Sequence, residues 1–148
     1  MWAYGSLGVQ VMMVKHFREL RVYREAFAAA MKIFKASKGW PKEERYSLTD
    51  QIRRSSRSVC GNIAEAWRKR RYQAHFISKL SDADGEAAEA QSWLDFARES
   101  GYITQQEYAE LDAVYETISG GLVKMMDGAE NWCGPAQLVK ENKEEYGS

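Results

Sequence analysis

The chain has 148 residues and a mass of 17.0 kDa, 45% of its residues are hydrophobic and 28% charged, and its formal net charge is zero. Such a length and composition fit one globular domain and argue against wholesale disorder. Two cysteines, Cys60 and Cys133, cannot build a disulfide framework or a zinc site, and no run of about 18 apolar residues offers a membrane span.

Residues 1–14 carry no charged side chain. They lack the basic start of a secretory signal, so the expected location is cytoplasmic. Met12 and Met13 directly precede the first amphipathic pattern, which reads as an upstream extension ahead of Met13. Residues 1–15 are expected to be disordered, with Trp2 and Tyr4 able to dock on a neighbour.

Prolines occur only at 41 and 135, and the long proline-free stretch between them favours long helices. The first predicted helix spans His16–Lys38, with Leu20, Tyr23, Phe27, Ala30 and Phe34 at helical spacing as its apolar stripe and Gly39 and Pro41 as its stop. A second helix is predicted over Leu48–Arg70, capped by Ser47 or Thr49. Its stripe is Leu48, Ile52, Ser55, Val59, Asn62 and Ala66, with Ile63 beside it. A third is predicted over Gln73–Ser100. There Phe76, Leu80, Ala83, Ala87, Ala90, Leu94 and Ala97 keep a strict 4, 3, 4, 3 spacing, a seam of mostly alanine knobs suited to close packing. The fourth, over Gln105–Asp127, starts in a capping box of Thr104 and Glu107 and carries Leu111, Val114 or Tyr115, Ile118, Leu122 and Met125. Short links make neighbouring helices antiparallel, so residues 16–127 are expected to form an all-α, up-down-up-down four-helix bundle. Residues 128–148 are expected to be a flexible tail.

The zero net charge hides an asymmetry. Residues 15–38 hold seven Lys/Arg against two Glu, and residues 39–71 nine against four Asp/Glu, so each segment carries +5. Residues 72–100 carry −4 and residues 101–130 carry −5. A basic first half can face phosphates, or can simply pair with an acidic second half within or between chains.

Catalytic candidates are few. His16 and His75 have no second histidine or cysteine at ligand spacing. Asp82, Glu86, Glu89, Glu107 and Glu110 lack the Glu-x-x-His pattern of di-iron bundles and read as a solvated face. No phosphate loop, nucleophile elbow or dinucleotide fingerprint occurs. The expectation is a non-enzyme, with no cofactor and no metal. The basic residues are the stronger signal. Arg53 and Arg57 share a helix face with Arg54 beside them, and Arg68, Lys69, Arg70 and Arg71 crowd the corner next to Tyr72. Guanidinium groups bind phosphate bidentately and an adjacent aromatic can stack a base; the same arginines could instead pair with acids of the third and fourth helices. Asn62, a polar residue in an apolar stripe, is a candidate for fixing register or oligomer state. Glu65 is a candidate partner of Arg68 or of an arginine of the next subunit.

The run Gln51-Ile52-Arg53-Arg54-Ser55, continuing through Ser58-Val59 to Asn62-Ile63-Ala64-Glu65-Ala66, resembles the 23S rRNA intervening-sequence protein family. Phe17 to Tyr23, Phe76 and Leu80, and the segment from Leu94 to Ile103 also fit, so the resemblance covers about residues 16–126. It departs at Ala66, where glycine is commoner, and in the extra N-terminus. The resemblance implies a bacterial four-helix bundle assembled into a ring-shaped homopentamer. It also implies a distant relationship to the accessory variability proteins of diversity-generating retroelements, which bind a reverse transcriptase and nucleic acid. Self-association also has a sequence argument: Val22, Ile33 and Trp67 lie off the stripes, and a single bundle is not expected to cover them all. The leading expectation is therefore an oligomeric bundle contacting RNA or DNA, with a nucleic-acid enzyme such as a reverse transcriptase as an expected partner. The alternative is a protein–protein scaffold without nucleic acid.

Overall fold

In the computed structural model, residues 14–134 are described, and they form helices and turns with no strand. The expectations for residues 1–13 and 135–148 lie outside the described residues. Four long helices carry the fold: α1 (Arg21–Ser37), α2 (Leu48–Arg68), α3 (Gln73–Glu99) and α4 (Gln105–Asp127). A short fifth helix, α5, spans Ala129–Trp132.

Each long helix packs on its chain neighbours, and α1 also packs on α4, closing a four-membered ring of helices around one core. Side-chain pairs fix the directions. Between α3 and α4, Ser119 Oγ donates to Asp84 (2.6 Å), Gln91 Nε2 to Asp112 (3.1 Å), and Tyr108 Oη to Asp95 (2.6 Å). As the residue number climbs on one helix it falls equally on the other, which is an antiparallel register. Between α1 and α2, Phe34 meets Arg57 and Ser37 meets Arg53. Between α2 and α3, Glu65 meets Lys79. The up-down-up-down bundle follows.

The α3 seam is the one its spacing predicts: all seven residues from Phe76 to Ala97 are buried. In α4 the choice falls on Tyr115, buried with Leu111, Ile118, Leu122 and Met125. The capping box forms as well: Glu107 N–H donates to Thr104 Oγ1 (3.0 Å) and Thr104 N–H to the Glu107 carboxylate (3.2 Å). Gly101, with φ +76°, takes the left-handed turn after α3.

Several expectations are corrected. The first helix does not start at His16. The His16 ring accepts from Arg18 N–H to cap a 3-10 turn over Phe17–Glu19, Leu20 is extended, and α1 begins at Arg21. The α1 core face is also rotated. Val22, Ala26, Ala29, Ala30 and Ile33 are buried, whereas Phe27 is 53% exposed and Tyr23 and Phe34 are half-buried. Small side chains let α1 lie close to α4, and the larger rings stay outside. Gly39 does not take a left-handed conformation. Ser47 precedes α2 but does not cap it through its side chain, because its hydroxyl donates to Glu44 instead (2.8 Å).

A further correction concerns residues 128–134, which are not a loose tail. Trp132 is buried and packs edge-on against Trp67 with ring centroids 6.2 Å apart, and Ala129 and Cys133 are buried beside it. Indole burial removes the largest apolar surface of any side chain from water, which anchors this segment to the end of α2. Val22, Ile33 and Trp67 are likewise covered within one chain, so they give no argument for self-association.

Candidate nucleic-acid interface

The seven basic residues singled out by sequence do not form one cluster. Arg53 and Arg57, one helical turn apart on α2, lean over α1. Their guanidinium carbons lie 4.8 and 5.6 Å from the centroid of Phe34, and Lys38 Nζ lies 4.9 Å from the same ring. Ring quadrupole and cation attract, so Phe34 gathers three positive charges that would otherwise repel each other. Arg53 is fixed further by donating from Nε to Ser37 Oγ (2.9 Å), and Ser37 in turn donates to the Phe34 carbonyl (3.1 Å).

Arg54 turns the other way. Its positive charge acts on Glu86 of α3, whose carboxyl is raised by burial and by the neighbouring Glu89, and Arg54 works against that rise. At the far end of α2, the Arg68 guanidinium lies 6.0 Å from the Phe17 ring. Lys69 and Arg71 are exposed, and Tyr72, 58% exposed, packs edge-on to His75. None of Arg53, Arg54, Arg57, Arg68, Lys69 and Arg71 lies within 4 Å of a carboxylate of the described residues.

Arg70 is the exception in the expected corner. It is only 4% exposed, its guanidinium lies 3.4 Å from the Trp67 ring centroid, and its Nε donates to the Trp67 carbonyl (2.7 Å). The exposed corner therefore consists of Arg68, Lys69 and Arg71. Arg70 is a packing residue, and the i,i+3 spacing from Trp67 is the sequence signal that foretells it.

Asn62 and Glu65 are also placed differently from expectation. Asn62 is half-buried, Ile63 takes the core position, and the Asn62 amide donates to the Ser58 carbonyl of its own helix (2.9 Å). Within the chain Glu65 does not pair with Arg68; Lys79 of α3 holds it at 3.0 Å. That hydrogen-bonded ammonium keeps the Glu65 carboxyl below the usual range.

The remaining reactive groups are turned inward. Burial pushes the Cys60 thiol up to about 11 and the Cys133 thiol to about 11, so neither is a thiolate at neutral pH. Among the described residues no group of three His, Cys, Asp or Glu could hold a metal ion, and no helix is long and apolar enough to cross a membrane.

Sequence reasoning missed the outer face of α1. His16, Phe17, Tyr23 and Phe27 form a chain of ring contacts at centroid distances of 4.3, 5.1 and 6.2 Å. Of these rings Tyr23 and Phe27 are read from spacing as core, whereas their alternation with Arg18, Arg21 and Arg24 along the chain is the signal of an outer face.

Fold and motif define a small antiparallel helical bundle with a basic, aromatic-lined face, and the sequence pattern of one family fits it over most of its length. The 23S rRNA-intervening sequence protein family matches residues 18–124, and the chain belongs to that family. Among solved structures it is similar to a protein of unknown function of the S23 ribosomal protein family from Bacteroides thetaiotaomicron. The two are 29% identical with a TM-score of 0.65, over 72% of this chain and 95% of that one. No curated protein matches the chain significantly.

Proposed function

We propose that this protein is a non-enzymatic, self-associating accessory protein that contacts the phosphate backbone of RNA or DNA through its α1–α2 side. The observation that carries this reading is a set of five basic residues, Arg53, Arg57, Arg68, Lys69 and Arg71, with no carboxylate of the described residues within 4 Å. Cations arranged for internal ion pairing would have met acids, of which the chain has as many as it has Lys and Arg. Without a close acid among the described residues, they provide the electrostatic footprint of a polyanion-binding protein. The family's name, which refers to an insertion in 23S rRNA, agrees with an RNA-linked role.

Self-association into a closed ring, with five subunits as the family resemblance implies, is part of the proposal. So is a cytoplasmic location, and so is a place beside a nucleic-acid enzyme such as a reverse transcriptase. Support for self-association comes from the α2–α3 side of the bundle. Glu44, Leu48, Gln51, Trp93, Phe96 and Ser100 line an open groove of about 560 Å³, where Phe96 is exposed and the Trp93 indole N–H finds no acceptor among the described residues. The same groove favours the second reading, a protein–protein scaffold without nucleic acid. The test is whether purified protein carries nucleic acid, read as excess absorbance at 260 nm and sequenced after release, with and without nuclease. Co-purifying nucleic acid that is lost in the Arg68→Ala, Lys69→Ala, Arg71→Ala variant supports the proposal. Protein free of nucleic acid that still forms a ring favours the scaffold.

A further inference from the structure

The outer face of α1 has a composition that phosphate contact alone does not require. Tyr23, Phe27, Met31 and Phe34 recur every three or four residues along it, and Phe27 and Met31 are exposed. Alongside runs the outer edge of α2, which reads Arg57, Gly61, Ala64 and Arg68 at spacings of 4, 3 and 4. The two arginines stand at the poles and the residues between them are small. A side chain at Gly61 would meet nothing within 4 Å, so the floor between the poles is open. Eleven residues of helix separate the poles by about 16 Å. At the ~3.4 Å rise of a stacked strand this is the length of about five bases.

Resting on the nucleic-acid reading above, we infer that the α1–α2 face binds single-stranded nucleic acid, with Tyr23 and Phe27 stacking bases and Arg53, Arg57 and Arg68 holding phosphates. A duplex hides the faces of its bases, so exposed rings gain nothing from it; an unpaired strand offers both rings and phosphates. Every base has a π-face, so the platform is indifferent to sequence. Phe34 works indirectly as a positioning residue. It anchors Arg53 and Arg57 in place, and a guanidinium seated on a ring is itself a surface on which a base can stack. Lysine in place of Arg53 or Arg57 would keep the charge and lose both the fork and that stacking surface.

The test is fluorescence anisotropy at about 50 mM salt with a labelled 12-nucleotide strand, oligo(U) or oligo(dT), against a blunt duplex of the same length. Variants are Phe27→Leu, which keeps an apolar side chain at an exposed site, and Arg53→Lys with Arg57→Lys, which keeps the charge. Light scattering and circular dichroism are recorded for each. The expected result is tighter binding of the single strand by about tenfold or more, within the range of one to two stacked bases. Phe27→Leu should remove most of that preference while duplex binding, helix content and mass stay unchanged, and the double lysine variant should weaken the single strand more than the duplex. Equal binding of strand and duplex, unaffected by Phe27→Leu, would overturn the stacking platform and leave backbone contact standing. Absence of binding to either probe would remove the nucleic-acid reading itself. A change of oligomer mass in Phe27→Leu would assign the face to subunit contact and overturn the inference.

Discussion

Gly121 sits at a close approach of α4 to α1. A Cβ built there would lie 2.6 Å from Val22 Cγ1 and 3.4 Å from an Arg21 guanidinium nitrogen. No carbon pair tolerates 2.6 Å, so Gly121→Ala forces α1 or the Val22 side chain to move. Val22 is buried and β-branched, with little rotamer freedom in a helix. Overpacking of this kind costs about 1–3 kcal/mol. Alanine also improves helix propensity over glycine by about 1 kcal/mol, so the net loss is about 0–2 kcal/mol. The adjacent Gly120 separates the two effects, because a Cβ there meets nothing within 4 Å. Gly120→Ala should gain stability by about 0.5–1 kcal/mol, leaving the packing cost as the difference between two chemically identical substitutions. At about 2–4 °C per kcal/mol for a domain of this size, Gly121→Ala should melt some 2–12 °C below Gly120→Ala. The assay is thermal melting by circular dichroism, backed by urea unfolding. Val22→Ala in the Gly121→Ala background should recover at least about 1 kcal/mol relative to additivity, since the new methyl fills the space that valine leaves. Equal melting of the two alanine variants, or additivity in the double variant, would refute the close α1–α4 crossing and with it the outward position of Phe27.

Three further outcomes follow from packing. Trp132→Ala should cost about 3–5 kcal/mol in urea unfolding, because the indole is buried against Trp67; a cost under about 1 kcal/mol would mean that the segment after α4 is indeed a loose tail. Cys60 and Cys133, both buried with pKa values near 11, should resist a thiol reagent at pH 7.5 and both react once the chain is unfolded in urea. Asn62→Leu should leave helix content and oligomer mass unchanged and shift stability by less than about 1 kcal/mol, since its amide serves only a carbonyl of its own helix; a changed mass would restore the residue's role in oligomer register.

The helices whose sequences offered one apolar stripe were legible, and those that offered two were not. In α3 every buried position lies on one unbroken heptad run, and in α4 the capping box sets the start. In α1 two stripes compete, one of large rings and one of Val22, Ala26, Ala29 and Ile33. Ranking by side-chain size selects the rings, whereas close approach to Gly121 selects the small residues. That information lies on α4, a hundred residues away in sequence. The candidate site inherits the same ambiguity. The basic residues stand out from spacing alone, but the partition of Arg53 and Arg57 toward Phe34, Arg54 toward Glu86 and Arg70 onto Trp67 depends on which face of α1 and which end of the chain pack against α2. Glu65 found Lys79 rather than an arginine because the antiparallel α2–α3 register brings that lysine opposite it.

Contact between the basic face and nucleic-acid phosphates is tested most directly by the salt dependence of binding. The affinity of a single strand, measured between about 50 and 200 mM salt, should fall along a log–log line with a slope near −0.7 for each phosphate contacted. The Arg68→Ala, Lys69→Ala, Arg71→Ala variant should bind more weakly with a slope shallower by about 2, while its circular dichroism spectrum matches wild type. No detectable binding at 50 mM salt, or a slope identical in the two proteins, would contradict it.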